Sequence, residues 1–202
     1  MNQVFLLVTG HSSLFCVGSI VSQRVCPWWL GYLLASPIRK LYYNPETILK
    51  PYVHEGMTVL EVGSGMGFFT LPLARLVGES GQVVCVDLQE RMIRGVRKRA
   101  TRAGLINRID SRVSAAKSLG IDDLAEKADF ALVFAVLHEV PDGKQFLLEI
   151  QRSLRKGGSL LFSEPAGHVS KEAFGETLAM APTLGFRIAD SPKIRGIIPA
   201  FG

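Results

Sequence analysis

The 202-residue chain is poor in cysteine and in aromatic side chains, with three cysteines, Cys16, Cys26 and Cys85, and 8% Phe, Trp and Tyr. Three scattered cysteines make neither a disulfide framework nor a four-ligand zinc site, and they point to a reducing, cytoplasmic setting. Residues 1–23 contain no Lys, Arg, Asp or Glu. Their apolar stretches, 4–8 and 14–17, are split by Thr9-Gly10-His11-Ser12-Ser13, so neither reaches the roughly 20 apolar residues of a bilayer span. No positively charged segment precedes them, as a secretory leader requires. Internal repeats and low-complexity tracts are also lacking.

What is present suits one folded domain. Apolar residues make up 48% of the chain and charged residues 20%, which excludes disorder. Lys and Arg exceed Asp and Glu by 23 to 18. Much of that excess is local: Arg91, Arg94, Arg97, Lys98, Arg99 and Arg102 share one expected helix. With no aromatics between them they read as a solvated face, and nucleic-acid contact is the alternative. Residues 1–43 read as an apolar, helical N-terminal extension, packed in part, with membrane contact the minority reading. Segment 22–43 is a candidate lid, in which Trp28, Trp29, Tyr42 and Tyr43 wall a pocket or fill a core.

The organised domain, 44–202, opens on Asn44-Pro45-Glu46, a capping side chain followed by proline at the first helical position. Strand-like runs at 58–62, 82–86, 108–113, 130–136 and 159–163 alternate with helical patterns at 67–77, 89–103, 120–126, 142–155 and 170–184. Gly78, Gly104 and Gly157 are placed to end helices. Continuous apolar strands separated by helices predict a doubly wound α/β fold, a Rossmann-like and mostly parallel sheet. The last two strands are expected from 185–190 and 193–200. In such sheets ligands bind beyond the carboxyl ends of the strands.

Beyond the first of these strands stands Glu61-Val62-Gly63-Ser64-Gly65-Met66-Gly67-Phe68. Its glycines permit a tight turn and close backbone approach to a ligand, at the start of a helix. A dinucleotide fingerprint would place its third glycine at Phe68, and no G-K-[ST] follows, so neither that motif nor a P-loop is present. The second strand ends on Asp87, a carboxylate placed to accept ribose hydroxyls or to cap the next helix.

With Asp87, the run 59–67 resembles a class I S-adenosylmethionine-dependent methyltransferase. Asp129-Phe130-Ala131-Leu132-Val133 and Leu154-Arg155-Lys156-Gly157-Gly158-Ser159-Leu160 extend the resemblance over residues 45–190. Within that class the chain is most similar to small-molecule enzymes of the ubiquinone/menaquinone and arsenite type. The resemblance implies S-adenosylmethionine as cofactor. It implies that Gly63, Gly65 and Gly67 flank the methionine part, that Asp87 binds the ribose, and that Leu88 and Met92 pack near the adenine. Glu61, Ser64, Phe68 and Ala135 belong to the same implied cofactor shell. Where many members place an acid for the adenine amino group, this chain has Val113-Ser114-Ala115-Ala116, leaving Ser114 or the Ala115 backbone to take over.

For chemistry beyond the cofactor, the end of the fourth strand offers His138 and Glu139, and the fifth is followed by Glu164 and His168. His138, Glu164 and His168 are the candidate catalytic residues, placed around one expected mouth. The competing reading of His138 is a packing or helix-capping role. Metal ligation by His138, Glu164, His168 and Cys26 lacks motif spacing, so no metal is expected. A [DN]-P-P-[YFW] clamp for a flipped base is missing, which argues against nucleic acid. Few cysteines are placed to hold arsenic. The expected function is in-line methyl transfer to a small acceptor. The alternatives are an RNA or protein methyltransferase using the 91–102 face, and a cofactor-binding module without turnover.

Overall fold

The computed structural model describes residues 4–11, 44–165 and 169–189. Its strands are β1 (Val4–His11), β2 (Thr58–Val62), β3 (Gln82–Asp87), β4 (Ile109–Val113), β5 (Ala128–Phe134), β6 (Leu154–Pro165) and β7 (Phe186–Ala189). The helices are α1 (Pro45–Leu49), α2 (Thr70–Leu76), α3 (Glu90–Arg102), α4 (Gly143–Ser153) and α5 (Lys171–Met180). The strands form one sheet in the order β4-β3-β2-β5-β6-β1-β7, with parallel pairing throughout.

Alternation along the strands divides the core into two layers. Leu60, Val62, Val84, Val86, Ala131, Val133, Leu160 and Phe162 face α4 and α5, meeting Phe146, Leu147, Ile150 and Leu178. Val59, Val83, Cys85, Phe130, Leu132, Phe134 and Leu161 face α1, α2 and α3, meeting Leu49, Leu73, Val96 and Ala100. Both faces are covered, which is why these strands are apolar along their whole length. Helix starts follow the expected chemistry. Asn44 Oδ1 accepts from the Glu46 and Thr47 N–H groups, and Asp142 Oδ1 accepts from the Gln145 N–H.

From β2 the chain moves outward through β3 to β4, then crosses to β5 on the other side of β2. The switch point therefore lies between β2 and β5, where ligands of open α/β sheets bind.

Several expectations change. The helical reading of the N-terminus gives way at Val4–His11, which is a strand between β6 and β7, in register from Phe5↔Ser159 to His11↔Pro165. The continuous apolar run at 4–8 has neither helical nor alternating spacing, so its conformation is fixed by the strands it pairs with. The helix expected at 120–126 is a single 3-10 turn, Asp122–Leu124. β5 stops at Phe134 because Ala135 turns to a φ of +60°. Gly157, at φ +78°, shapes a bulge in β6 rather than ending a helix. Residues 193–200, the candidate lid at 22–43 and His168 lie outside the described residues. No helix among the described residues is long and apolar enough to cross a membrane.

Candidate active site

The carboxyl ends of β2, β3 and β5 open into a cavity of about 710 Å³, within the range usual for small-molecule sites. Gly63, at φ +77°, stands where the two halves of the sheet touch: a Cβ there would lie 2.1 Å from Val136 Cγ2. Gly65, at φ +53°, has open space where a Cβ would be, so its backbone is bare to the cavity. Gly67 is not on the cavity wall; it packs against Leu71 of α2. Two outside groups brace the loop. Arg99 Nη1 of α3 donates to the Met66 carbonyl at 2.6 Å, and Asp87 Oδ2 accepts from the Gly65 N–H at 2.8 Å.

Asp87 Oδ1 accepts from the Gln89 N–H at 2.9 Å. Burial raises the Asp87 pKa, against the pull of the Gln89 and Gly65 N–H groups. Each carboxylate oxygen keeps a further lone pair for a ligand hydroxyl. Ser64 lines the cavity and is buried, and its hydroxyl has no hydrogen-bond partner of good geometry. The thiol of Cys85 beside it is a weak partner at best, kept protonated because burial and then the Glu61 charge push its pKa far up. A buried hydroxyl left in this state is costly without a ligand to satisfy it.

Of the other residues implied for the cofactor, Phe68, Leu88, Met92, Ser114, Ala115 and Ala135 line the cavity. Leu88 is 42% exposed, an apolar surface at the mouth that a flat ring would cover. The Ser114 N–H serves the Asp87 carbonyl and the Ala115 N–H the Ser118 carbonyl, and the Ser114 hydroxyl oxygen is the side-chain acceptor at this place for a donating amino group. Glu61 is not on the wall. It lies beneath the loop at 3% exposure, accepting from Thr70 Oγ1 at 2.6 Å. Burial pushes its carboxyl up to about 8, with the Thr70 hydrogen bond opposing and the Asp87 charge adding.

The catalytic candidates are arranged differently from the expectation. His138 and Glu164 meet each other at 2.6 Å, Nδ1 to Oε2, and neither lines the cavity. Glu164 is 3% exposed, and its Oε1 accepts from the Leu137 N–H at 2.7 Å. The cavity instead meets Glu139, Val140, Phe146 and Glu149 on this side. Glu149 ties α4 to the loop after β4, accepting from the Leu119 N–H at 2.7 Å. Sequence reasoning missed Glu149, because a lone acid on an exposed helical face carries no signal of the loop that folds onto it.

Residues 53–185 match the family model described as a methyltransferase domain. The chain is 30% identical over 165 residues to the ubiquinone/menaquinone biosynthesis C-methyltransferase of Pseudoalteromonas translucida (strain TAC 125), covering 80% of this chain and 64% of that protein. To the protein of the same name from Hahella chejuensis (strain KCTC 2396) it is 33% identical, covering 81% of this chain and 66% of that one. It thus spans a little under two thirds of these relatives' length. Among solved structures, a SAM-dependent methyltransferase from Aquifex aeolicus superposes with a TM-score of 0.74 at 25% identity, over 86% of this chain and 95% of that one. An arsenic(III) S-adenosylmethionine methyltransferase from Chlamydomonas reinhardtii, at 22% identity and a TM-score of 0.57, shares the fold over 67% of this chain and 53% of its own. With its switch-point cavity, its bare glycine loop and a family match across most of its length, the chain belongs to the class I S-adenosylmethionine-dependent methyltransferases.

Proposed function

We propose that the protein transfers a methyl group from S-adenosylmethionine to a small, largely apolar or aromatic acceptor. The observation that carries this is the pairing of the buried Ser64 hydroxyl, which has only the weak Cys85 thiol beside it, with the bare Gly65 backbone, leaving a polar, sterically open cradle beside Asp87. When bound, the cofactor supplies a methyl group on a sulfonium. The chain's own residues then have these tasks. Asp87 accepts the ribose hydroxyls, Ser64 and the Gly63–Gly65 backbone meet the amino-acid part, and Leu88 and Met92 flank the purine. The Ser114 hydroxyl takes the place of the acid that many members offer to the adenine.

The acceptor meets the opposite wall, where Val140, Phe146 and Leu119 are apolar and Glu139, Gln145 and Glu149 are the polar groups at hand. Holding the acceptor in line with the donor accounts for much of the rate such a site supplies. Carbon methylation, which the names of the relatives give for those proteins, fits a wall of this composition. The basic helix favours an RNA substrate less, since Arg97 is bonded to Ser111 and Arg99 to Met66 within the fold. A cytoplasmic location and residues 22–43 as a lid complete this reading.

Calorimetric titration with S-adenosylmethionine and S-adenosylhomocysteine, beside NAD as control, tests it. Micromolar binding of the first two, weakened about tenfold or more in Asp87→Ala, is the expected result, corresponding to loss of roughly 1.4 kcal/mol or more. Absence of binding, or equal binding of NAD, overturns it.

A further inference from the structure

One buried side chain organises the turn at the edge of the cavity. Glu164 of β6 accepts from the Leu137 N–H through Oε1 and meets His138 Nδ1 through Oε2, at 2.7 and 2.6 Å. Between them these contacts hold the 3-10 turn Leu137–Glu139. The residue before this turn, Val136, presses on Gly63 of the glycine loop, and Glu139 at its end lines the acceptor side. The turn is entered through Ala135 at φ +60°, a conformation that a non-glycine residue keeps only when its surroundings impose it. The Ala135 N–H is pinned to the Ser163 carbonyl at 2.7 Å, one residue before Glu164.

We propose that Glu164 and His138 are a positioning pair: their contact holds the wall that presses on the glycine loop, so that cofactor binding depends on the proton carried by His138. The proposal rests on the cofactor reading above and deepens it, because neither side chain reaches the cavity and both act through Val136 and Glu139. Among the described residues, the charged groups facing the imidazole are Glu164 from β6 and Glu139 from its own turn, at 3.9 Å from Nε2. Burial disfavours the imidazolium, but the Glu164 hydrogen bond and the charges of Glu164 and Glu139 outweigh it, and the His138 pKa is raised. The charge-assisted pair is therefore present below that pKa, and as pH rises through it only the weaker hydrogen bond of a neutral imidazole with its hydrogen on Nδ1 is left. Cofactor affinity falls with it, and by reciprocity the ligand raises the His138 pKa.

The test is S-adenosylhomocysteine binding by calorimetry at about pH 6 and about pH 8.5, in wild type, His138→Gln, Glu164→Gln and Glu164→Ala. Wild-type affinity is expected to fall about tenfold across this interval, a usual size for coupling between sites. Glu164→Gln keeps the hydrogen-bonding shape without the charge, so it regains the folded stability lost in Glu164→Ala while its affinity becomes flat with pH. His138→Gln is flat as well. Titration of Glu61 and Asp87 is common to all four proteins and cancels in the ratios. In NMR the His138 ring titrates at higher pH with the ligand than without it. A flat wild-type profile, or a pH dependence retained in Glu164→Gln, overturns the positioning pair alone. Failure of the wild type to bind at every pH overturns the cofactor reading and this proposal together.

Discussion

Two glutamates near the carboxyl ends of central strands, Glu61 on β2 and Glu164 on β6, are both 3% exposed, yet their surroundings treat charge in opposite ways. Glu61 has a neutral hydroxyl for company, and burial raises its pKa to about 8. Glu164 has an imidazole and a backbone N–H, and its charge holds a proton on His138. Burial is thus the same at the two glutamates, and the partner decides whose pKa is raised, that of the acid itself or that of its neighbour. The surroundings raise the pKa of an acid at Glu61 and of a base at His138.

The largest expected effect comes from breaking the charged side of this comparison. Glu164→Ala leaves the imidazole and the Leu137 N–H without their buried partner, and should cost about 3–5 kcal/mol in denaturant unfolding. Glu61→Ala, which removes an acid already neutral near pH 7, should cost less, and the reverse order would show that burial, not partnership, governs both. The place where the halves touch comes next. Gly63→Ala sets a methyl against Val136 at a left-handed φ, and overpacking together with backbone strain should cost about 2–4 kcal/mol. Gly65→Ala shares the strain but has open space, so it should cost about 1 kcal/mol in unfolding while weakening S-adenosylhomocysteine binding, since its methyl enters the cavity.

The remaining effects are slopes, each spread over several pH units. A carboxyl raised to about 8 in the folded state binds its proton more tightly there than in the unfolded chain. Glu61 therefore contributes a loss of stability as pH rises from about 4.5 to about 8, at up to ~1.4 kcal/mol per pH unit. Glu61→Gln should remove that slope. For His138, whose folded pKa is raised, the contribution is full below about 6.5 and is lost as pH rises through the folded value. His138→Gln should flatten the curve only in this upper window. Unfolding curves collected across pH for both variants check the two windows separately.

Much of the fold was legible because it is written in local pattern. The run at 58–62 coincides with β2, and Asn44-Pro45 marks the start of α1. The glycines at 63 and 65 and the acid at 87 come together at one cavity, as strand ends in a doubly wound sheet must. The pairing of His138 with Glu164 is not legible in the sequence, which brings both to one mouth but carries nothing in either segment to say that the two face each other behind the wall. Nor was the strand Val4–His11, whose hydrogen bonds are made to residues more than 150 positions away.

By itself, then, the sequence determined the alternation of buried strands and amphipathic helices, the glycine loop and the carboxylate beyond the second strand of that loop's unit. These depend on side-chain periodicity and on backbone freedom, which are properties of neighbours in the chain. Only the tertiary structure decided that Gly67 packs inward while Gly65 stays bare, that the buried Ser64 hydroxyl has only a thiol beside it, and that one buried glutamate meets a hydroxyl while the other meets an imidazole. Desolvation and hydrogen-bond partnership are set by what the folded chain brings within a few ångströms, and no local pattern carries that information.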